Sequence, residues 1–175
     1  MRIILGICLL IALVNVSCGG MKVSSAQKAG KHYESFYTGV GGVQYFIKPI
    51  TFNSTTTDNY LKSDIVFRVN ENELDSGTVN ISIFTESVIN RKPEISFFIS
   101  GKEYPSTLRE TFYQERESKM VITRSSYRSD KNEVYDFVKA PIDSMGVYSN
   151  GAVEYFTPKK KTQKILGSIA QKLIL

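Results

Sequence analysis

From Gly42 onward, apolar and polar residues alternate with a period of two, the repeat that puts successive side chains on opposite faces of a strand. Val43, Tyr45 and Ile47 alternate, Lys48-Pro49 interrupts them, and Ile50 and Phe52 resume on the other parity, which predicts an edge or a bulge at Pro49. A polar, Thr-rich loop over 53–59 follows. Ile65, Phe67 and Val69 then face one way against Asp64, Arg68 and Asn70, as Val79, Ile81 and Ile83 do against Thr78, Asn80 and Ser82, so these two runs predict a hairpin. Ile95, Phe97 and Ile99 lead through Ser100-Gly101-Lys102, where Gly101 accepts the positive φ of a tight turn, into Glu103-Tyr104. The stretch 105–118 fits two patterns: Thr107 with Glu110 as a capping box and Leu108 with Phe112 at helical spacing, but Thr111-Phe112-Tyr113 as a strand. Lys119 to Tyr127 and Glu133 to Lys139 flank the turn cluster Ser129-Asp130-Lys131-Asn132 and are expected to pair as a hairpin. Asn150-Gly151, between Val147-Tyr148 and Val153-Tyr155-Phe156, is a type I′ turn signal.

After Pro158 the period becomes helical: Ile165, Leu166, Ile169, Ala170, Leu173 and Ile174 form an apolar stripe, with Gln163, Lys164, Gln171 and Lys172 off it. With no βαβ rhythm, the expectation is a mainly β domain, an antiparallel β-sandwich or barrel of about seven to nine strands, ending in an amphipathic helix over 159–175. That helix serves either to cover an open end or face of the sheet or, through Lys159, Lys160, Lys161 and Lys164, as a membrane contact. Ahead of the strands, Tyr33, Phe36 and Tyr37 fall at i, i+3 and i+4 and are expected to share a helix face, packing on the body or forming an aromatic platform for glycans.

The start of the chain reads differently. Arg2 is followed by an apolar run from Ile3 to Val14 and by the small residues Ser17-Cys18-Gly19. The run spans roughly 18 Å as a helix, short of the roughly 30 Å hydrocarbon core of a bilayer, so a cleaved export signal is expected over 1–17. Val16-Ser17-Cys18-Gly19 resembles the lipobox of bacterial lipoproteins. Asn15 stands where that motif usually carries an aliphatic residue, a looser form similar to the lipoboxes of Bacteroidetes lipoproteins. The resemblance implies that Cys18 becomes the first residue of the mature chain, with diacylglyceryl on sulfur and an acyl group such as palmitate on nitrogen. It also implies an outer-membrane address, since Gly19 rather than Asp follows the cysteine, and a periplasm-facing position, since no acidic run comes next. Gly19 to Lys31 offers almost nothing to bury, and 18–31 is expected to be a flexible tether to a β-rich domain over 32–175.

Composition narrows the chemistry. The chain has 175 residues and two cysteines, Cys8 in the leader and Cys18, so the domain itself holds no thiol for a disulfide, a metal or a nucleophile. The formal charge of +5 falls by one on loss of Arg2; in an exported chain a mildly basic balance points to anionic lipid or an acidic envelope polymer rather than to nucleic acid. His32 is the only histidine, which argues against a histidine-based metal cage or catalytic triad. Ser25-Ala26-Gln27-Lys28 matches an S-x-x-K pattern, but no K-T-G accompanies it. Glu71, Glu73 and Asp75 alternate as in a calcium loop, yet Ser76 and Ser82 stand where Gly and Glu are required. Asp143-Ser144-Met145 resembles the acceptor triplet of Bacteroidetes O-glycosylation, which would make Ser144 the modified residue. The expectation is therefore a lipid-anchored envelope protein that binds or supports a partner, with no metal or cofactor. A carrier enclosing an apolar ligand among the ten Phe and ten Tyr residues, or an envelope hydrolase built on converging carboxylates, are the alternatives.

Overall fold

The structure is a computed structural model that describes residues 31–38, 42–70, 73–90, 92–140 and 142–174. Its strands are β1 (Tyr33–Tyr37), β2 (Gly42–Ser54), β3 (Tyr60–Asn70), β4 (Glu73–Thr85), β5 (Glu94–Ile99), β6 (Lys102–Glu117), β7 (Met120–Ser129), β8 (Ser144–Ser149) and β9 (Ala152–Pro158). Two helices, α1 (Lys131–Lys139) and α2 (Lys160–Ile174), complete it. The strands form one antiparallel sheet in the order β1-β2-β3-β4-β7-β6-β5-β8-β9, and β2 also pairs with β9. The sheet is thus a closed eight-stranded barrel with one strand added.

Closure is narrow. β9 meets β2 only at Phe52–Ser54, and β1 occupies the rest of that edge, from Val43 to Ile47. The change of parity at Lys48-Pro49 is a bulge, and it lies between these two partners, leaving both Ile47 and Ile50 buried. Proline, which has no N–H to donate, sits where the ladder is already interrupted.

Inside the ring, Leu61, Val79, Ile81, Ile83, Phe97, Tyr127, Met145 and Phe156 are fully buried. The inward face of β7 is more polar than a hydrophobic count would place in a core: Thr123, Ser125 and Ser129 are buried opposite Ile83, Ile81 and Gly77. Partners make two of the three tolerable, since the Thr111 and Ser125 hydroxyls lie 3.2 Å apart and Gln114 Nε2 donates to Thr123 Oγ1 at 2.8 Å, while the buried Ser129 hydroxyl has no hydrogen-bond partner among the described residues. On the outer wall, Arg124 donates to Asp64 at 2.7 Å and to Ser82 at 2.8 Å, tying β7 to β3 and β4.

The stretch 105–118 is strand throughout. Bulges after Leu108 and Thr111 stretch the repeat from two to three, so Leu108, Thr111 and Gln114 align with Tyr127, Ser125 and Thr123, a spacing that imitates a helix in sequence. The expected hairpin of 119–127 with 133–139 is not formed. β7 pairs with β6 and β4, and 133–139 lies in α1. Asp130 caps that helix: its Oδ1 accepts from the N–H groups of Asn132 and Glu133, and Glu133 Oε2 accepts from the Asp130 N–H at 2.9 Å. Val134 and Phe137, one turn apart, are buried, and Phe137 packs on Phe97 and Tyr104.

The segment expected to be helical at 33–37 is β1. Tyr33 and Ser35 point into the molecule, while Tyr37 is exposed and Phe36 packs edge-on against Phe46 at 5.3 Å. Short turns at Ser100-Gly101 and Asn150-Gly151 have positive φ at both positions, as type I′ hairpins require. Both helices stand at the end of the barrel where β5, β7 and β9 finish, and they pack on each other. The opposite end carries the 55–59 loop, the 86–93 connection and the β6–β7 and β8–β9 turns.

Candidate functional site

The wall of the barrel opens where β6 outruns β5. β5 pairs with β6 only from Lys102 to Ser106; beyond Thr107, β6 keeps β7 on one side while the 86–93 connection passes on the other. That connection is held from inside the ring: Tyr127 donates its hydroxyl to the Pro93 carbonyl at 2.9 Å, and Gln114 donates to the Ile89 carbonyl at 3.0 Å. Burial in the core holds the Tyr127 phenol well above its ordinary pKa, so it remains a donor across the physiological range.

Two grooves flank Lys92. One, of about 700 Å³, is lined by Lys92 and by Leu108 to Gln114; Phe112 and Tyr113, each about half exposed, form its aromatic rim. The bulge after Thr111 is the structural cause, because it frees Phe112 from the inward–outward alternation. The second, of about 470 Å³, is lined by Asn90, Lys92, Glu94, Tyr148 and the Ser149–Val153 turn. Its floor is stabilised by Asn90 N–H donating to Ser149 Oγ at 2.8 Å. Partial burial and then the hydrogen bond to Glu103, 3.1 Å away, raise the Tyr148 phenol above its usual pKa. Lys92 and Arg109 offset Glu94 and Glu110, and each groove holds one carboxylate, Glu110 in the first and Glu94 in the second. The arrangement is suited to stacking and hydrogen bonding.

The residues singled out by sequence are scattered. Cys18, Ser25, Lys28 and Glu71 lie outside the described residues. His32 is half-buried at the start of β1, where its carbonyl accepts from the Lys48 N–H at 3.0 Å. Among the described residues no three His, Cys, Asp or Glu side chains are grouped to hold a metal. Ser144 opens β8 half-buried beside Phe98, and the following Met145 is fully buried. Lys159, Lys160, Lys161 and Lys164 are all exposed; Leu166 is buried and Ile165 packs on the core. The side chains of Ile169, Ala170, Leu173 and Ile174 lie outside the described part. No described helix is long and apolar enough to cross a membrane. Lys92, Arg109, Phe112, Tyr113 and Tyr148 were not legible as a group, because strands distant in sequence supply them; the strand-like run Thr111-Phe112-Tyr113 was the one local signal.

Comparison with protein-family models, with curated proteins and with solved structures finds no match to the chain.

Proposed function

We propose that the chain is a lipoprotein of a bacterial cell envelope, carried by acyl chains on Cys18 and acting as a binding or structural module. The observation that carries this reading is the Val16-Ser17-Cys18-Gly19 junction at the end of an apolar leader too short to span a bilayer. Two or three acyl chains exceed the single chain that holds a protein to a membrane only marginally. In this reading Gly19 directs the protein to the outer membrane facing the periplasm, and the two grooves beside Lys92 present aromatic and charged groups to an envelope partner. Metabolic labelling with palmitate checks the anchor: the parent is expected to take up label and begin at Cys18, and Cys18→Ala to remain unlabelled. An unlabelled parent, or a mature product starting elsewhere, overturns it.

The closed ring favours a second reading, a carrier of an apolar ligand, because eight-stranded barrels are wide enough to enclose one small molecule. Ser63 and Ser106, both on inward-facing positions, have buried hydroxyls with no hydrogen-bond partner. Mass spectrometry of protein purified from its own envelope distinguishes the two: a stoichiometric copurifying lipid selects the carrier, and its absence the surface-binding module.

A further inference from the structure

Helices gain stability from acidic residues at their first turn, where the macrodipole is positive. α1 does so, with Asp130 and Glu133 in a capping box. α2 does the reverse: its first turn contains no acidic residue and opens on Lys159, Lys160 and Lys161, with Lys164 following. Lys160 and Lys164 stand at i and i+4, where like charges repel. All four are exposed, and none is in an ion pair among the described residues, where the pairs are Lys48–Glu34 and Arg124–Asp64. The helix thus concentrates uncompensated positive charge where its own field disfavours it, and an external anion relieves both penalties.

A second observation says where that anion lies. The chain from Cys18 joins the barrel at His32, whose carbonyl bonds to Lys48 of β2. Along the same edge of β2, Pro158 pairs with Phe52, and Lys159 comes next. Lys48 and Phe52 are separated by roughly 13 Å of strand at about 3.3 Å per residue. The start of β1 at His32 and the lysine cluster are therefore neighbours on one edge of the barrel, with Lys31 and Lys48 also exposed there. From Cys18 to Lys31 the chain spans at most roughly 45 Å, so lipid on Cys18 keeps these lysines within reach of the bilayer. The grooves beside Lys92 include the β8–β9 turn, at the end of the barrel opposite the helices.

We propose that Lys159, Lys160, Lys161 and Lys164 form a docking surface for an anionic phospholipid leaflet, which sets the barrel's orientation on the membrane. This rests on the lipoprotein reading. Each lysine near an anionic surface contributes roughly fivefold in partition, a term that salt screens. The test uses the mature protein reconstituted into vesicles of phosphatidylcholine alone and of phosphatidylcholine with one quarter phosphatidylglycerol, probed by a water-soluble amine reagent. The four lysines should be modified several-fold more slowly in the anionic vesicles, with protection lost in about 0.5 M salt and Lys92 unaffected. Equal modification in the two vesicles, or equal protection in both, overturns the proposal. Protein that carries no acyl group defeats the lipoprotein reading alone; the docking surface then stands if unlipidated parent floats with anionic vesicles and K159Q/K160Q/K161Q/K164Q does not, and falls if the parent stays in solution.

Discussion

Gly77 shows how much one missing methyl group decides. It faces inward on β4 opposite Ser129, and a Cβ built there would stand 2.6 Å from Val134 Cγ2 and 3.2 Å from the Val66 carbonyl oxygen. The glycine is required by the close approach of α1, which packs across the end of the barrel on β4. Gly77→Ala is expected to lower stability by about 1–3 kcal/mol, as overpacking does. Shortening Val134 to Ala in the same chain should recover part of that loss; strictly additive losses in denaturant titrations would show that the clash is not the cause. At this scale the sequence was legible where one residue type answers one backbone demand. Gly101 and Gly151 sit at positive φ in tight hairpins, and Pro49 at a bulge, as their chemistry required. Gly77 carried no such mark, because its demand comes from a helix more than fifty positions away in the chain.

Among the elements, α1 and β1 differ from their expected form, while β6 resolves a stretch that fits both helix and strand in sequence; β6 and α1 mislead for opposite reasons. β6 is a strand whose two bulges mimic a helical repeat, while α1 is a helix whose capping box overlaps a run of turn-forming residues, Ser129 to Asn132. Asp130 and Glu133, followed by Val134 and Phe137 on one face, were the signal available for the helix. Glu133 also makes the cap sensitive to pH: burial, as the leading cause, raises its carboxyl above the usual range, against hydrogen bonding from the Asp130 N–H. A carboxyl raised by folding contributes stability fully below its unfolded value and loses it as pH rises through the folded one. Glu133→Gln keeps an acceptor for the Asp130 N–H and removes the titration. Between pH of about 4 and 7, thermal melts should therefore shift progressively in favour of the Gln variant. A gap between the two proteins that is constant with pH would refute this assignment.

For the molecule as a whole, the vulnerable feature is the closure between β2 and β9, only three residue pairs wide. Glu154, on β9, reinforces it: its carboxylate accepts from Ser54 Oγ and Thr57 Oγ1, each at 2.5 Å, and from Asn59 Nδ2 at 3.0 Å. It thereby pins the 55–59 loop across the seam. Glu154→Ala should cost about 1.5–3 kcal/mol, as loss of charged hydrogen bonds does, and should speed hydrogen exchange in β9 and that loop before the rest of the barrel. Uniform exchange throughout would mean that the seam does not open first. Nothing local announced Glu154, which reads as an ordinary polar position in an alternating strand. By itself, the order of residues determined the strands with clean alternation, the glycine turns, the amphipathic end of the chain and the expectation of a membrane address, because each depends on groups within a few positions of one another. Tertiary structure alone decided that the sheet closes, that β7 lies between β4 and β6, that serines and threonines fill part of the interior, and that Lys92 stands between the groove rimmed by Phe112 and Tyr113 and the one lined by Tyr148. Those outcomes rest on pairing between distant strands, whose hydrogen-bonding edges are the same whatever the side chains, so the choice among partners belongs to the packing of the whole interior.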